Sequence, residues 1–261
     1  MRHRPRHLIN SADAELWPAW LLRARRNADA RALATADWVV RDRDGAYLAT
    51  VDARRNLHTL PPIHSSRNSE TWRSLVRAAD IQTPVHVLPM HGLERRLHQL
   101  GLDADDYARR TGLMPVAEPS RLTLAGFDRY RRPLWLSDGA ARAWNQLQAA
   151  AAVDGVALDA ISGYRSHAYQ MGIFARKRAR DLSVDEILAV NAAPGFSEHH
   201  CGDALDIGTE GEPPAEESFE HTKAFHWLSG HAGDFGFRLS YPRDNPHGIV
   251  YEPWHWRWHA A

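Results

Sequence analysis

The chain has 261 residues, with 32 Lys+Arg against 32 Asp+Glu, 44% hydrophobic residues and ten Trp. That balance excludes the net basic field that draws nucleic acid or an anionic membrane, while the apolar content supports a true core in one large or two modest domains. The single cysteine, Cys201, excludes an intrachain disulfide, and no apolar run approaches a membrane span.

The first residues are basic, but charged and polar side chains interrupt each apolar run before it reaches signal-peptide length, so the expectation is a cytoplasmic protein or one that reaches the periplasm or cell wall by a route this sequence does not encode. Residues 12–35 are rich in Ala, Leu and Arg and read as helical, with the run Arg23 to Arg31 as a solvated face. Trp38 to Val40 and Tyr47 to Val51 flank Asp44-Gly45, the signal of a β-hairpin. Ser69 caps an expected helix through Ala79, Val85 to Leu88 suits a strand, and Leu93 to Leu100 has helical spacing. None of these elements carries recognisable chemistry, and together they predict a smaller mixed α/β N-terminal region. The pattern loosens over Gly112 to Pro119, which places a boundary near residue 117 and divides the chain into 1–117 and 118–261.

Beyond the boundary, strands are expected at Leu122 to Leu124 and Pro133 to Leu136, then an Ala-rich helix capped by Ser137-Asp138 and closing at Gly155. A strand from Val156 to Ile161 runs into Ser-Gly-Tyr-Arg-Ser at 162–166. Helical spacing returns from His167 to Arg180, and Ser183 to Glu186 forms a capping box that opens a helix toward Ala192. Pro194-Gly195 breaks the chain. Ala224, Trp227, Leu228, Ala232 and Phe235 line one face of a further helix stopped by Gly236. Phe237 to Tyr241 and Gly248 to Trp256 are expected as antiparallel strands around a turn at 242–247. The chain shows no internal repeat and no low-complexity tract.

Sixteen histidines invite metal chemistry, and two segments give some of them suitable company. Ser197 to Asp206 (SEHHCGDALD) sets His199 and Asp206 seven positions apart, with Gly202 and Ala204 small enough for close backbone approach. Glu252 to Arg257 (EPWHWR) supplies His255 with a carboxylate three residues before it. Two His and one Asp make the three-ligand set of a catalytic zinc, which leaves one position for water, and Glu252 is placed to take that water's proton. No H-E-x-x-H helix is present, so that class of zinc peptidase is excluded.

The Ser-x-His-x-x-Gly-x-Ala-x-Asp pattern at 197–206, Glu-Pro-Trp-His-Trp-Arg at 252–257 and Ser-Gly-Tyr-Arg-Ser at 162–166 together resemble the VanY-type D-alanyl-D-alanine carboxypeptidases. These belong to the group that also holds the lysostaphin-like peptidases and the zinc domain of hedgehog proteins. The resemblance covers roughly residues 120 to 261. It implies one Zn2+ held by His199, Asp206 and His255, Glu252 as base, and Arg165 facing the substrate carbonyl, where a fixed guanidinium stabilises an oxyanion. It also puts Ser197 and Gln170 near the substrate peptide, while Tyr241 and Trp254 are expected to wall the pocket. The expected fold is α+β, helices packed on a mainly antiparallel sheet that carries the ligands.

The plainer alternatives are a core histidine for His199 or His255 and a simple ion pair for Arg165. His200 is expected to support the metal site or face solvent, His247 and His259 to lie at the surface, and Cys201 to pack as a small apolar group. The resemblance implies removal of terminal D-Ala from a peptidoglycan stem peptide, a muropeptide or a D-Ala-D-Ala dipeptide. Its rivals are an L,D-carboxypeptidase, a cross-link endopeptidase and a non-catalytic zinc-stabilised binding module. Oligomeric state has no signature in the sequence.

Overall fold

Short runs of β-branched and aromatic residues build the first structural unit, Met1–Pro89 with Pro119–Thr123. In the computed structural model, which describes residues 4–24, 27–60, 69–79 and 83–260, its strands are β1 (His7–Asn10), β2 (Ala14–Pro18), β3 (Trp38–Asp42), β4 (Tyr47–Val51) and β5 (Leu57–Thr59). They pair antiparallel in the order β5-β4-β3-β2-β1, and Arg121 to Thr123 pair with β1. Helices α1 (Asn27–Thr35) and α2 (Ser69–Ala78) complete the unit. Trp72, Leu75 and Val76 of α2 pack on Ile9, Leu16, Val40, Ala49 and Val51.

The hairpin at Asp44-Gly45 forms as expected, with Gly45 at φ 89° in the left-handed region and Asp42 Oδ1 accepting the Ala46 N–H at 2.7 Å. Residues 12–35 do not form one helix. Ala14 to Pro18 is a strand between β1 and β3, a single 3-10 turn follows at Ala19–Leu21, and an α-helix begins only at Asn27. Pro18 cannot sit in a helix interior, and ladder pairing on both sides outweighs the helical preference of Ala and Leu. Arg25 and Arg26 of the arginine run lie outside the described residues. Val85 to Leu88 yields a single bridge, Val87 to Pro119, instead of a strand.

The second unit comprises Met90–Glu118 and Leu124–Ala261, so the division differs from a single cut near residue 117. Residues 90–117 carry α3 (Leu93–His98) and α4 (Ala104–Thr111). Helices this short cannot stand alone. Their Leu93, Leu97 and Tyr107, with Leu113, join Ala193, Phe196, Tyr241 and Ile249 in one buried cluster.

Strand β6 (Arg121–Phe127) lies beside β7 (Pro133–Leu136), after which Ser137 Oγ accepts the Ala140 N–H and starts α5 (Asp138–Val153). Ala140, Trp144, Leu147 and Ala151 recur at helical spacing and pack with Leu205, Ile207 and Trp256. Full burial of Leu147 alone is worth roughly 1.5–3 kcal/mol.

A four-stranded antiparallel sheet carries that core, in the order β10 (Phe237–Leu239), β11 (His255–Trp258), β9 (Ala204–Gly208), β8 (Asp159–Ser162). Around it lie α6 (His167–Arg178), α7 (Val184–Leu188) with its Ser183–Glu186 capping box, and α8 (Lys223–His231). The fold is therefore α+β. Residues 248–254, expected as strand, are loop: Pro253 offers no N–H, and the His255 N–H turns back to the Glu252 carbonyl at 3.1 Å, so ladder pairing starts at His255. Among the described residues no helix is long and apolar enough to cross a membrane.

Candidate active site

Two neighbouring strands and one tight turn bring the site together. In β9 the side chains alternate, so Leu205 and Ile207 enter the core while Asp206 points to the other face. His255 of β11 stands directly opposite Asp206 in the antiparallel register. His199 lies in the 3-10 turn Glu198–Cys201 that precedes β9, and Gly202 ends the turn at φ 80°. The ligand atoms of His199, Asp206 and His255 all lie within 4.8 Å of one another, and all three residues are buried.

Hydrogen bonds fix which nitrogens face inward. His199 Nδ1 is 2.7 Å from the Gly163 carbonyl, which places its proton there and leaves Nε2 as a lone pair. That Nε2 is buried without a hydrogen-bond partner, 3.2 Å from Asp206 Oδ1. His255 Nε2 meets Glu198 Oε2 at 2.9 Å, so Nδ1 is the atom turned to Asp206 Oδ1 at 3.1 Å. A lone pair set against a carboxylate oxygen in a buried place needs positive charge between them. Two imidazole nitrogens and a carboxylate fit zinc, and their number leaves a coordination position open.

The electrostatics set the two histidines apart. Burial, with Arg165 nearby, lowers the His199 pKa to about 4, so this ring is neutral near pH 7. Burial also opposes charge on His255, but the hydrogen bonds from Asp206 and Glu198 outweigh it and raise its pKa to about 10. Asp206 is held well below the usual carboxylate range because His199, His255 and Arg165 more than offset its burial.

Glu252 is held by its N–H on the Tyr241 carbonyl at 3.0 Å, with Oε2 at 3.9 Å from His255 Nδ1. Burial pushes its pKa to about 7, with Asp206 and Glu198 adding to the rise and His255 and Arg165 opposing it. A carboxyl poised there can both take and return a proton near neutrality.

Arg165 follows β8 in the 162–166 loop, with a guanidinium nitrogen 3.8 Å from Asp206 Oδ2 and Nε buried without a hydrogen-bond partner. Its backbone is pinned twice: its N–H donates to the His199 carbonyl at 3.2 Å, and its carbonyl accepts from His200 Nδ1 at 2.6 Å.

His200 is thus fully buried and not solvent-facing. Its Nε2 accepts the Gly195 N–H at 3.0 Å, and burial with the nearby His167 keeps its pKa well below the usual value. Neutral His200 therefore ties the 162–166 loop to the 194–197 bend. Cys201 donates to the Glu198 carbonyl, and burial raises its thiol pKa to about 12, which suits inert packing.

A cleft of about 250 Å³ brings together the nine residues expected to hold metal or substrate: Arg165, Gln170, Ser197, His199, Asp206, Tyr241, Glu252, Trp254 and His255. Gln170 is buried on α6, its amide donating to the Ala192 carbonyl at 3.0 Å. Tyr241 stacks obliquely on His255, ring centroids 4.8 Å apart, and Trp254 packs against the core beside Ile207. His247 instead bonds the Thr111 carbonyl at 2.8 Å, and His259 is exposed.

Two further side chains at the site carry no clear signal in the sequence. Glu198 grips His255 Nε2 with one oxygen and Arg257 with the other at 3.0 Å, which orients the histidine. Its burial opposes ionisation, yet the bond and charge of His255, with Ser240 and Arg257, hold its pKa far below the usual range. The carboxylate next to His199 was its only signal. Lys177, two turns beyond Gln170 on α6, also lines the cleft. It looked like one more surface cation in the run Arg176 to Arg178.

YodJ of Bacillus subtilis (strain 168) is 34% identical over 149 residues, 54% of this chain and 54% of that protein. The bifunctional D-Ala-D-Ala dipeptidase and D-Ala-D-Ala carboxypeptidase VanXYC of Enterococcus gallinarum is 28% identical over 146 residues, 54% of this chain and 75% of its own length. The solved structure of the LdcB LD-carboxypeptidase superposes with a TM-score of 0.50 at 30% identity, covering 54% of this chain and 69% of LdcB. The chain thus spans about half the length of YodJ. The family model described as VanY, D-alanyl-D-alanine carboxypeptidase, matches residues 133–261, the stretch that holds His199, Asp206, His255 and Glu252, and the chain belongs to the VanY family of D-alanyl-D-alanine carboxypeptidases.

Proposed function

We propose that this protein is a zinc-dependent D,D-carboxypeptidase that removes a terminal D-Ala from peptidoglycan stem peptides, muropeptides or free D-Ala-D-Ala. The observation that carries the reading is the unpartnered His199 Nε2 facing Asp206 and His255, with the buried Glu252 carboxyl at their side. His199 Nε2, His255 Nδ1 and an Asp206 oxygen would hold one zinc. Bound there, it supplies a Lewis acid for the scissile carbonyl and lowers the pKa of water. Glu252 accepts the proton of the attacking water and hands it to the leaving amine. Arg165 donates to the carbonyl oxygen as it becomes anionic, from a position its pinned backbone fixes beforehand. Ser197 and Gln170 line the peptide path, and Tyr241 and Trp254 wall it. A purely structural zinc site would need neither Glu252 nor Arg165, which weighs against a binding module.

A second reading, an L,D-carboxypeptidase, is favoured by the likeness to LdcB. Mass spectrometry of zinc-loaded protein incubated with stem pentapeptide, tetrapeptide and cross-linked muropeptide separates the readings. Loss of one alanine from the pentapeptide alone is the expected result. Loss from the tetrapeptide alone would replace it with the L,D reading, and cleavage of the cross-link with an endopeptidase.

A further inference from the structure

Two cations line the cleft, Arg165 and Lys177, and they differ in how far they are committed. Arg165 already leans on Asp206 at 3.8 Å. The Lys177 ammonium has neither a hydrogen bond nor an ion pair among the described residues, although its side chain is half-buried. Seven residues separate it from Gln170, so both stand on the face of α6 turned to the cleft. Of the other ionisable groups in the cleft wall, Asp206 and Glu252 are carboxyls, and His199 and His255 are already engaged by Gly163, Asp206 and Glu198.

A peptide cut at its last residue must bring its terminal carboxylate one residue beyond the scissile carbonyl, about 3.8 Å along the Cα trace. Entering among those carboxyls, it needs a cation that no protein group has claimed. Building on the carboxypeptidase reading, we propose that Lys177 receives the terminal carboxylate of the substrate and so selects peptides with a free C-terminus. Burial draws the lysine pKa down, Arg165 adds to the fall and Glu252 opposes it, so the fields of the two catalytic groups reach the ammonium. Arg165 is then left to the carbonyl oxygen. The two cations divide the anionic ends of one substrate between them.

The test compares a peptide ending in free D-Ala with the same peptide amidated at its C-terminus, on wild type, Lys177→Met and Lys177→Arg. Methionine keeps the apolar stem, and circular dichroism and zinc content check that each variant is folded and loaded. Lys177→Met is expected to raise KM for the acid by about ten- to a hundredfold, the worth of one charge-assisted hydrogen bond. Its kcat should change less, its KM for the amide should stay put, and Lys177→Arg should restore much of the preference. Calorimetric binding of both peptides to Glu252→Gln, with and without Lys177→Met, reads the same preference without turnover. Unchanged preference for the acid in Lys177→Met would overturn the assignment while leaving the carboxypeptidase reading intact. A shifted pH profile with constant KM would overturn it too, and make the lysine a partner of Glu252. If zinc-loaded wild type cuts no peptide, the carboxypeptidase reading fails, and equal binding of acid and amide to Glu252→Gln would show that the lysine proposal fails with it.

Discussion

At the scale of single residues, the site depends on which atom each side chain turns inward, and that choice is made by groups outside the cluster. Gly163 and Glu198 take the outer nitrogens of His199 and His255, so the inner ones converge on Asp206. Removing such an orienting carboxylate weakens a metal site without deleting a ligand. Glu198→Ala is therefore expected to lower zinc affinity by about ten- to a hundredfold, measured by competition with a chelator. Retained affinity would show that His255 is held in place by its packing alone. The convergence of His199, Asp206, His255 and Glu252 was legible because each lies in a short motif whose spacing reflects local geometry. Glu198 and Lys177 were not, because their partners lie far off in sequence: His255 is 57 residues from Glu198, and the cleft that receives Lys177 exists only once α6 packs.

At the scale of elements, the loops that carry the site are fixed by backbone bonds and by glycine. Gly195 sits at φ 90°, its N–H on His200 and its carbonyl accepting the Val116 N–H at 2.7 Å, and a Cβ there would overlap Leu93. Gly195→Ala combines left-handed strain with overpacking and should cost about 2–4 kcal/mol, read as a fall in the urea midpoint. A loss below about 0.5 kcal/mol would mean that Leu93 yields freely. Capped helices such as α5 and α7 were readable, since Ser137 and Ser183 act on N–H groups three residues away. The strand at Ala14 to Pro18 was hidden by its helix-favouring residues. Its state is decided by partners on both sides, Ile9-Asn10 and Trp38 to Asp42, which local preference does not register.

At the scale of the molecule, the unit that carries the site extends further toward the N-terminus than its motifs suggest. Residues 90–117 bury Leu93, Leu97, Tyr107 and Leu113 against Phe196 and Tyr241, and Tyr241 carries Glu252 on its carbonyl. A fragment of residues 118–261 is thus expected to unfold at least about 10 °C below one of residues 90–261, since each lost core side chain removes roughly 1.5–3 kcal/mol. Equal melting temperatures would show that α3 and α4 are dispensable. The most direct test of the central claim, that three buried ligands and Glu252 form an open catalytic zinc centre, compares wild type with Glu252→Gln for bound zinc and peptide turnover in the same preparation. One zinc per chain in both, with hydrolysis lost by at least about a thousandfold in the variant, is the predicted result. Zinc retained with turnover unchanged would contradict it.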